Sequence, residues 1–341
     1  MLKIDGSCGE GGGQVLRSAV ALSALTGQDM EIVNIRSRRN KQGLAAQHLT
    51  GVRGVAELCG ARVEGDAIGS TRLVFRPGRV RGGEYELDVK TAGSITLVLQ
   101  TCLLAALRAD TPVTLTIRGG TNVRMSPPVD YYQHVLLPLL QSMGVDTEME
   151  VLQRGFYPQG GGVVRTTLVP PRAVLPLDLE KRGRLEEMGG VCFVQNLPDH
   201  VATRMAHAIG KSFLGGKLRL ERVSSKGPST GAGAFLFARY DNTILGADAL
   251  GEKGVPAERV GIYAAERLRA ELEDGGTLDV HAADQLLPYL ALASGPSAFR
   301  VRELSSHLLT QIELVPQFLP VEIIVEREGV PRIEVRPNRT W

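Results

Sequence analysis

HAADQLLPYLALASGPSAFRVRELSSHLLTQIELVPQFLP, residues 281–320, decides how this chain is read. Its periodicity predicts a helix ADQLLPYLALAS from Ala283, a strand FRVREL, and a second helix beginning at His307. Leu308, Ile312, Val315 and Leu319 recur at helical spacing, and Ser305 or Ser306 can cap the N-terminus. An imidazole in the first turn meets the positive end of the helix dipole, which disfavours its protonated form. A neutral ring keeps one nitrogen free to attack an electrophile. A capped, structurally satisfied histidine is the competing reading, and this stretch alone leaves both open.

Working outward, the same order of elements returns twice toward the N-terminus. A strand is predicted at residues 1–5, an apolar helix at 14–26, a strand at 31–35, a helix at 43–59, and β-segments at 62–76 and 83–90. A helix over 91–109, a strand over 113–120, a helix over 130–144 and the hairpin VDTEMEVLQRG–GGGVVRTTLVPP follow. VEIIVE–REGV–PRIEVRP closes the C-terminal copy as another hairpin. Three units of helix, strand, helix and hairpin, each roughly 70–90 residues, make an internal repeat. Each helix pair can cover one face of a small sheet, so the three layers can share a core.

Residues 182–276 break the pattern. A charged run, RGRLEEMGG, leads into strand VCFVQNL, helix VATRMAHAIGKSFL, strand LRLERVS and the loop SKGPSTGAG. Strands AFLFARY and TILGADAL and the helix PAERVGIYAAERLRAELE complete the segment. It reads as a smaller α/β domain inserted between the second and third repeats. The expected division is therefore 1–181 plus 277–341 for a large domain and 182–276 for the insert, in an α+β fold of α/β layers.

Composition bounds the function. With 341 residues, 43% hydrophobic and 22% charged, this is an ordinary globular chain long enough for about two domains. Lys plus Arg is 39 and Asp plus Glu is 37, a net charge of +2, so any nucleic-acid site must be local. Cys8, Cys59, Cys102 and Cys192 form no CxxC pair and read as buried free thiols of a reducing compartment. The N-terminus MLKIDGSCGEGGG lacks a basic-then-apolar signal pattern, and no apolar run reaches the ~18 residues of a membrane span. The expectation is a cytoplasmic protein with no membrane contact.

The glycine-rich motifs are not the common nucleotide loops. Gly210-Lys211-Ser212 is preceded at the required position by Met205, so the P-loop pattern fails. GEGGGQ, residues 9–14, places Gln14 where a dinucleotide fingerprint needs Gly. It reads either as a tight loop or as backbone N–H groups approaching an anion at the following helix, with Arg17 one turn in. Glu10, alone among glycines, could hold a hard divalent cation beside phosphates. Arg36, Arg38, Arg39 and Lys41 follow a strand and precede a helix carrying Gln47 and His48. They read as a solvated loop or as a grip on a nucleic-acid end. Gln100 sits in the apolar helix SITLVLQTCLLAAL and must find a partner, either a neighbouring helix or a nucleotide. Pro127, in RGGTNVRMSPPVDYY, offers a flat apolar face to a base. GFYPQGGG, residues 155–162, reads as a structural hairpin turn. His134, His200 and His207 form no ligand set.

These stretches, together with GEKG, ADQLLPYLALA and SSHLLTQIELVPQFLP, occur in this order over essentially the whole chain. The ordered set closely resembles the RNA 3'-terminal phosphate cyclase family. The resemblance implies a large domain of three βαβαββ units with an inserted α/β domain. It implies ATP-dependent conversion of an RNA 3'-phosphate to a 2',3'-cyclic phosphate, releasing AMP and pyrophosphate, through a covalent histidine–AMP. His307 matches the nucleophile. Gln100, Pro127 and the segment His281, Ala282, Ala283, Asp284, Gln285 match ATP contacts. Glu10 matches a metal-proximal carboxylate (Mg or Mn), and Arg17, Arg36, Arg39, Gln47 and His48 match residues near the phosphates or the RNA end. His281 stands where the family carries Tyr, which leaves nucleotide preference open. Which arginine of the 36–39 run is essential also stays open, as does oligomeric state, with a homodimer among the options. Three other readings fit less well. A non-catalytic cyclase-like ribosome-biogenesis factor would lack His307. An enolpyruvyl transferase has two domains of similar size, and a general single-strand RNA binder needs more exposed aromatics than 5% supplies.

Overall fold

The computed structural model describes residues 1–213 and 218–338. The chain opens with β1 (Leu2–Asp5), α1 (Gly13–Thr26), β2 (Met30–Val33), α2 (Ala46–Cys59), β3 (Arg62–Glu64) and β4 (Leu73–Arg76). Its first sheet has the order β1-β2-β4-β3, with β1 and β2 parallel and the remaining pairs antiparallel. Next come β5 (Gly83–Asp88), α3 (Ile95–Ala106), β6 (Val113–Gly119) and a helix in three pieces. These pieces are α4 (Val129–Tyr131), a π-helical turn (Tyr132–Leu136) and α5 (Leu137–Ser142). β7 (Asp146–Gln153) and β8 (Gly162–Val169) complete a second sheet in the order β5-β6-β8-β7.

β9 (Asp178–Leu179) then precedes a different arrangement: β10 (Leu185–Gln195), α6 (His200–Ser212), β11 (Leu218–Ser225), β12 (Gly231–Tyr240), β13 (Ile244–Leu250) and α7 (Ala257–Glu273). Its sheet runs β11-β10-β12-β13. The chain closes with α8 (Val280–Leu290), β14 (Ser297–Arg300), α9 (Ser306–Leu314), a 3-10 turn, β15 (Val321–Glu326) and β16 (Arg332–Pro337). The last sheet is β15-β16-β14-β9, so β9 pairs with β14 across the whole intervening segment.

The burial follows the residue pattern. β6, VTLTIRG, alternates buried with less buried positions, as expected of a strand with one face on the core. α3 is apolar nearly all round and is buried on almost every position. α1 meets α2, α3 and α9, and α8 meets α9, so helices above three sheets meet in one apolar cluster. A separate cluster, including Val194, Met205, Leu236 and Leu268, lies wholly within residues 188–272. The molecule is a mixed α+β fold of several small sheets.

Several boundaries differ from expectation, each for a local reason. The last set opens at β9, before residues 182–276, and not at Ala283 after them. α8 starts at Val280 because Asp279 caps it, accepting from the backbone N–H of His281 and Ala282 at 3.0 and 2.9 Å. The same buried carboxylate accepts from Tyr131 Oη and from Gly246 N of β13. α2 begins at Ala46, three residues later than expected from Gly43, whose φ of +75° excludes helix. α3 begins at Ile95 because Ser94 is its cap. The expected strand 31–35 ends at Val33, since Asn34 has a φ of 55°. The stretch 62–76 divides into β3 and β4. Leu214, the expected last residue of the α6 helix, lies outside the described residues. Cys59, Cys102 and Cys192 are buried free thiols, but Cys8 is exposed. Among the described residues no helix is long and apolar enough to cross a membrane.

Candidate active site

The loop before α1 is glycine-rich because other side chains occupy the space a Cβ would need. A Cβ at Gly9 would strike Thr310, at Gly12 the Glu10 carboxylate and at Gly13 His48 Nε2. Gly11, with φ of +62°, also turns the chain where an L-residue is strained. α1 starts at Gly13 with Gly12 as its N-cap and no side-chain cap. Thr310 of α9 ties the loop down by accepting from Glu10 N at 3.0 Å.

His307 is the second residue of α9, whose N-cap Ser305 accepts from Leu308 N at 3.1 Å. Its Nδ1 lies 2.8 Å from Gln14 Oε1, and Gln14 Nε2 donates to Asp284 Oδ2 at 2.8 Å. The chain of bonds fixes the tautomer. With its NH2 given to Asp284, Gln14 presents only an acceptor, so His307 Nδ1 must carry the hydrogen. Nε2 then keeps its lone pair. The side chain is 42% exposed. Burial, and after it the charges of Arg17, His281 and Arg39, push the His307 pKa down to about 4. The helix end invoked from the sequence is present, but desolvation is the larger cause.

Cations gather around this imidazole. Arg17 donates from Nε to Gln100 Oε1 at 2.8 Å, and among the described residues no carboxylate closes an ion pair with it. Burial lowers its pKa to about 10. A largely buried guanidinium without a counter-charge is costly unless an anion completes it. Arg39 Nη2 stands directly against Glu10 Oε1 as an ion pair, while His307 Nδ1 is 3.9 Å from Glu10 Oε2. Apart from that ion pair, neither buried Glu10 oxygen meets a hydrogen-bond donor. Asp284 has its pKa pushed up to about 7, with burial the leading cause and His281 and Arg17 opposing it.

His307 opens onto a cavity of about 540 Å³. Arg17, Gln100, Pro127, His281, Asp284 and Gln285 line it from the surrounding elements. Pro127 is fixed by Thr96 Oγ1, which donates to its carbonyl at 2.7 Å. His281 meets the edge of Tyr131 at 6.3 Å and 88°. Gln285 accepts from Tyr132 Oη at 2.9 Å and donates to the His281 carbonyl at 3.0 Å, so its amide is engaged within the protein. The far wall comes from residues 182–276: Gly246 and Asp248 of β13, Arg267 and Glu271 of α7. Burial raises Asp248 to about 6 and Glu271 to about 7.

Other expected residues lie elsewhere. Ala282 and Ala283 are fully buried in α8 and do not line the cavity. Arg36, held at φ of 55°, donates to the Gly43 carbonyl at 2.7 Å and faces a different hollow beside Lys41 and Ile68. Arg38 donates to the Gly9 carbonyl at 2.8 Å. Of the three arginines only Arg39 reaches the Glu10 carboxylate. Gln47 Oε1 accepts from Ser94 N at 2.9 Å and borders a second cavity. His48 is buried behind Gly13, its pKa well below 6.5 through burial and then Arg17, Arg36 and Arg39. His134, unassigned from sequence, stacks on Phe235 and Phe237. Gln14 and the acids of the 182–276 segment were missed. Gln14 entered the sequence reading only as a mismatch to a fingerprint, though a polar residue opening an otherwise apolar helix was a usable signal. Asp248 and Glu271 carried none, because tertiary contact alone brings them to the cavity.

Among the described residues no group of three or more His, Cys, Asp or Glu side chains forms a metal site. Glu10 alone suits a hard cation that takes its other ligands from phosphates and water.

A tautomer-fixed imidazole, a largely buried guanidinium without a counter-charge and a nucleotide-sized cavity define a site equipped for chemistry at phosphorus. The family model described as RNA 3'-terminal phosphate cyclase matches residues 8–325. Proteins named RNA 3'-terminal phosphate cyclase resemble the chain nearly end to end. The one from Methanopyrus kandleri is 49% identical over 99% of this chain and 99% of its own. That from Nitrosospira multiformis is 49% identical over 99% and 97%, and that from Archaeoglobus fulgidus 46% over 94% and 96%. The chain belongs to the RNA 3'-terminal phosphate cyclase family and is an enzyme of that class.

Proposed function

We propose that the enzyme uses ATP to convert an RNA 3'-terminal phosphate into a 2',3'-cyclic phosphodiester through a covalent histidine–AMP. The observation that carries this reading is the Asp284–Gln14–His307 chain, which leaves Nε2 unprotonated at the cavity. Nε2 attacks the α-phosphorus of ATP, forming a P–N bond and expelling pyrophosphate. An oxygen of the RNA 3'-phosphate then attacks that phosphorus, breaks the P–N bond and takes AMP. The neighbouring 2'-OH attacks the activated RNA phosphorus, loses its proton and expels AMP, closing the ring. Each displacement places charge on phosphate oxygens, which Arg17 and Arg39 are positioned to meet. Pro127 and His281 flank the adenine, and Gln100 holds Arg17 toward the phosphates. Glu10 would hold the divalent cation, which supplies charge neutralisation to the triphosphate. Gln47 meets the RNA end from the other side of the loop, and His48, buried against Gly13, supports that loop from within.

The fold supports a matching division. The order first-second-fourth-third strand recurs in three sheets, and the segment 182–276 has its own sheet and core. We read these as three βαβαββ copies, the third interrupted by an inserted domain that roofs the nucleotide cavity. Three buried free thiols suit a reducing compartment such as the cytoplasm. ATP labelled at the α-phosphate tests the mechanism. With a divalent cation present, the protein becomes covalently labelled and His307→Asn does not; a label that persists in His307→Asn overturns the assignment.

A further inference from the structure

The hairpin turn GFYPQGGG and the GEKG loop, residues 251–254, are not used by the nucleotide cavity, yet they face each other across a second one. We propose that this cavity, of about 860 Å³, is the subsite for the nucleotide that precedes the RNA's terminal 3'-phosphate residue, with its base stacked on Tyr157 and its phosphodiester met by Lys253 and Arg124. The proposal rests on the cyclase reading and extends it from the reacting end into the strand.

Four observations carry it. Tyr157 is 77% exposed, an unusual position for so large a ring on a chain only 5% aromatic. The loop presenting it is anchored. Gly160 N donates to the Phe156 carbonyl at 2.7 Å, Gln159 N donates to Ser229 Oγ at 3.0 Å, and Phe156 is buried beside Phe193. A rigidly held aromatic face is what sequence-tolerant recognition of single-stranded RNA needs. The charged residues lining the cavity are both cationic, Arg124 and Lys253. Arg124 is paired with Glu252 at 2.8 Å, but with side chains 66% and 59% exposed that pair is weak enough for a phosphate to displace. Finally, the cavity adjoins the site already described, across one loop. Gln47 borders it beside His48, and the loop 122–127 separates the two cavities with Arg124 on this side and Pro127 on the other. The volume is within the range of small-ligand sites, roughly 300–1,000 Å³.

The test measures binding, so that it does not depend on turnover. A fluorescent six-nucleotide RNA bearing a 3'-phosphate is titrated with the full chain by anisotropy, and uridine 3'-phosphate, which lacks a preceding nucleotide, is used as competitor. Tyr157→Ala is expected to weaken the hexamer on the order of ten-fold and Tyr157→Phe less than about two-fold, because stacking needs the ring and not the hydroxyl. Lys253→Ala should weaken it a few-fold and flatten the salt dependence by about 0.7 in log–log slope. The mononucleotide should bind all variants alike. Uptake of AMP from ATP by the same preparations shows that they are folded, and its loss in the unaltered enzyme would count against the cyclase mechanism and not against the subsite. Unchanged hexamer binding in Tyr157→Ala, or equal weakening of hexamer and mononucleotide, overturns the proposal.

Discussion

Two histidines occupy the first turns of two helices beside the same arginines, and they are wired in opposite senses. In α9, His307 gives its Nδ1 hydrogen to Gln14 and turns a bare Nε2 to the cavity. In α2, His48 Nδ1 accepts from the Ala45 backbone N–H at a long 3.4 Å, which leaves the hydrogen on Nε2, pressed against Gly13. Burial and neighbouring cations hold both pKa values low. A depressed pKa therefore does not single out the proposed nucleophile. The hydrogen-bond partner and the exposure do: His307 has a nitrogen lone pair and open space before it, and His48, 5% exposed, has a donor and almost none.

The comparison predicts a graded series. The largest effect is expected at His307: replacement by Ala should lower RNA cyclisation by at least ~10³-fold, measured as single-turnover conversion, since it removes the attacking nitrogen itself. His48→Ala should leave most AMP uptake from ATP in place while slowing transfer to RNA; equal loss of both steps would break the contrast. Gln14→Ala frees the His307 ring to rotate and change tautomer, and should slow AMP uptake by ~10²-fold with little change in ATP affinity. Asp284→Asn, which can still accept from Gln14, should be milder than Asp284→Ala, as comparison of their AMP uptake rates checks.

The smallest effect is in the pH profile. With a pKa of about 4, His307 is more than nine-tenths neutral down to about pH 5, so its own ionisation should leave AMP uptake level from pH 8 to near 5 and lower it below that. An ordinary imidazole would lose half its nucleophilic form at about pH 6.5. The sign for stability is the same: burial favours the neutral ring, so the unfolded chain binds the extra proton and stability falls as pH drops from 6.5 toward 4. A midpoint near 6.5 in the uptake rate would show that the ring is solvated and the wiring wrong.

The element pattern was readable because its period is local. The alternation of VTLTIRG and the apolar α3 need no tertiary information. What failed to read was decided by single side chains across the fold. Asp279 starts α8 three residues early because its carboxylate also collects Tyr131 and Gly246, donors far away in sequence. The opening strand of the last sheet is two residues long and lies before the 182–276 segment, too short for any period to mark. In the site, His307 and the glycine loop stood out, mainly through family resemblance. The crowded arginine run did not resolve into roles. That depended on backbone angles, with Arg36 turned by its φ of 55° to the Gly43 carbonyl and Arg39 left to meet Glu10.

Mapping the adduct on the unaltered enzyme addresses the central claim most directly. The protein is incubated with ATP and a divalent cation, denatured, digested and analysed by mass spectrometry under neutral conditions that preserve the P–N bond. AMP is predicted on His307, in the peptide containing SSHLLTQIEL, and on no other residue. AMP carried on His48, or on any residue other than His307, would contradict the account.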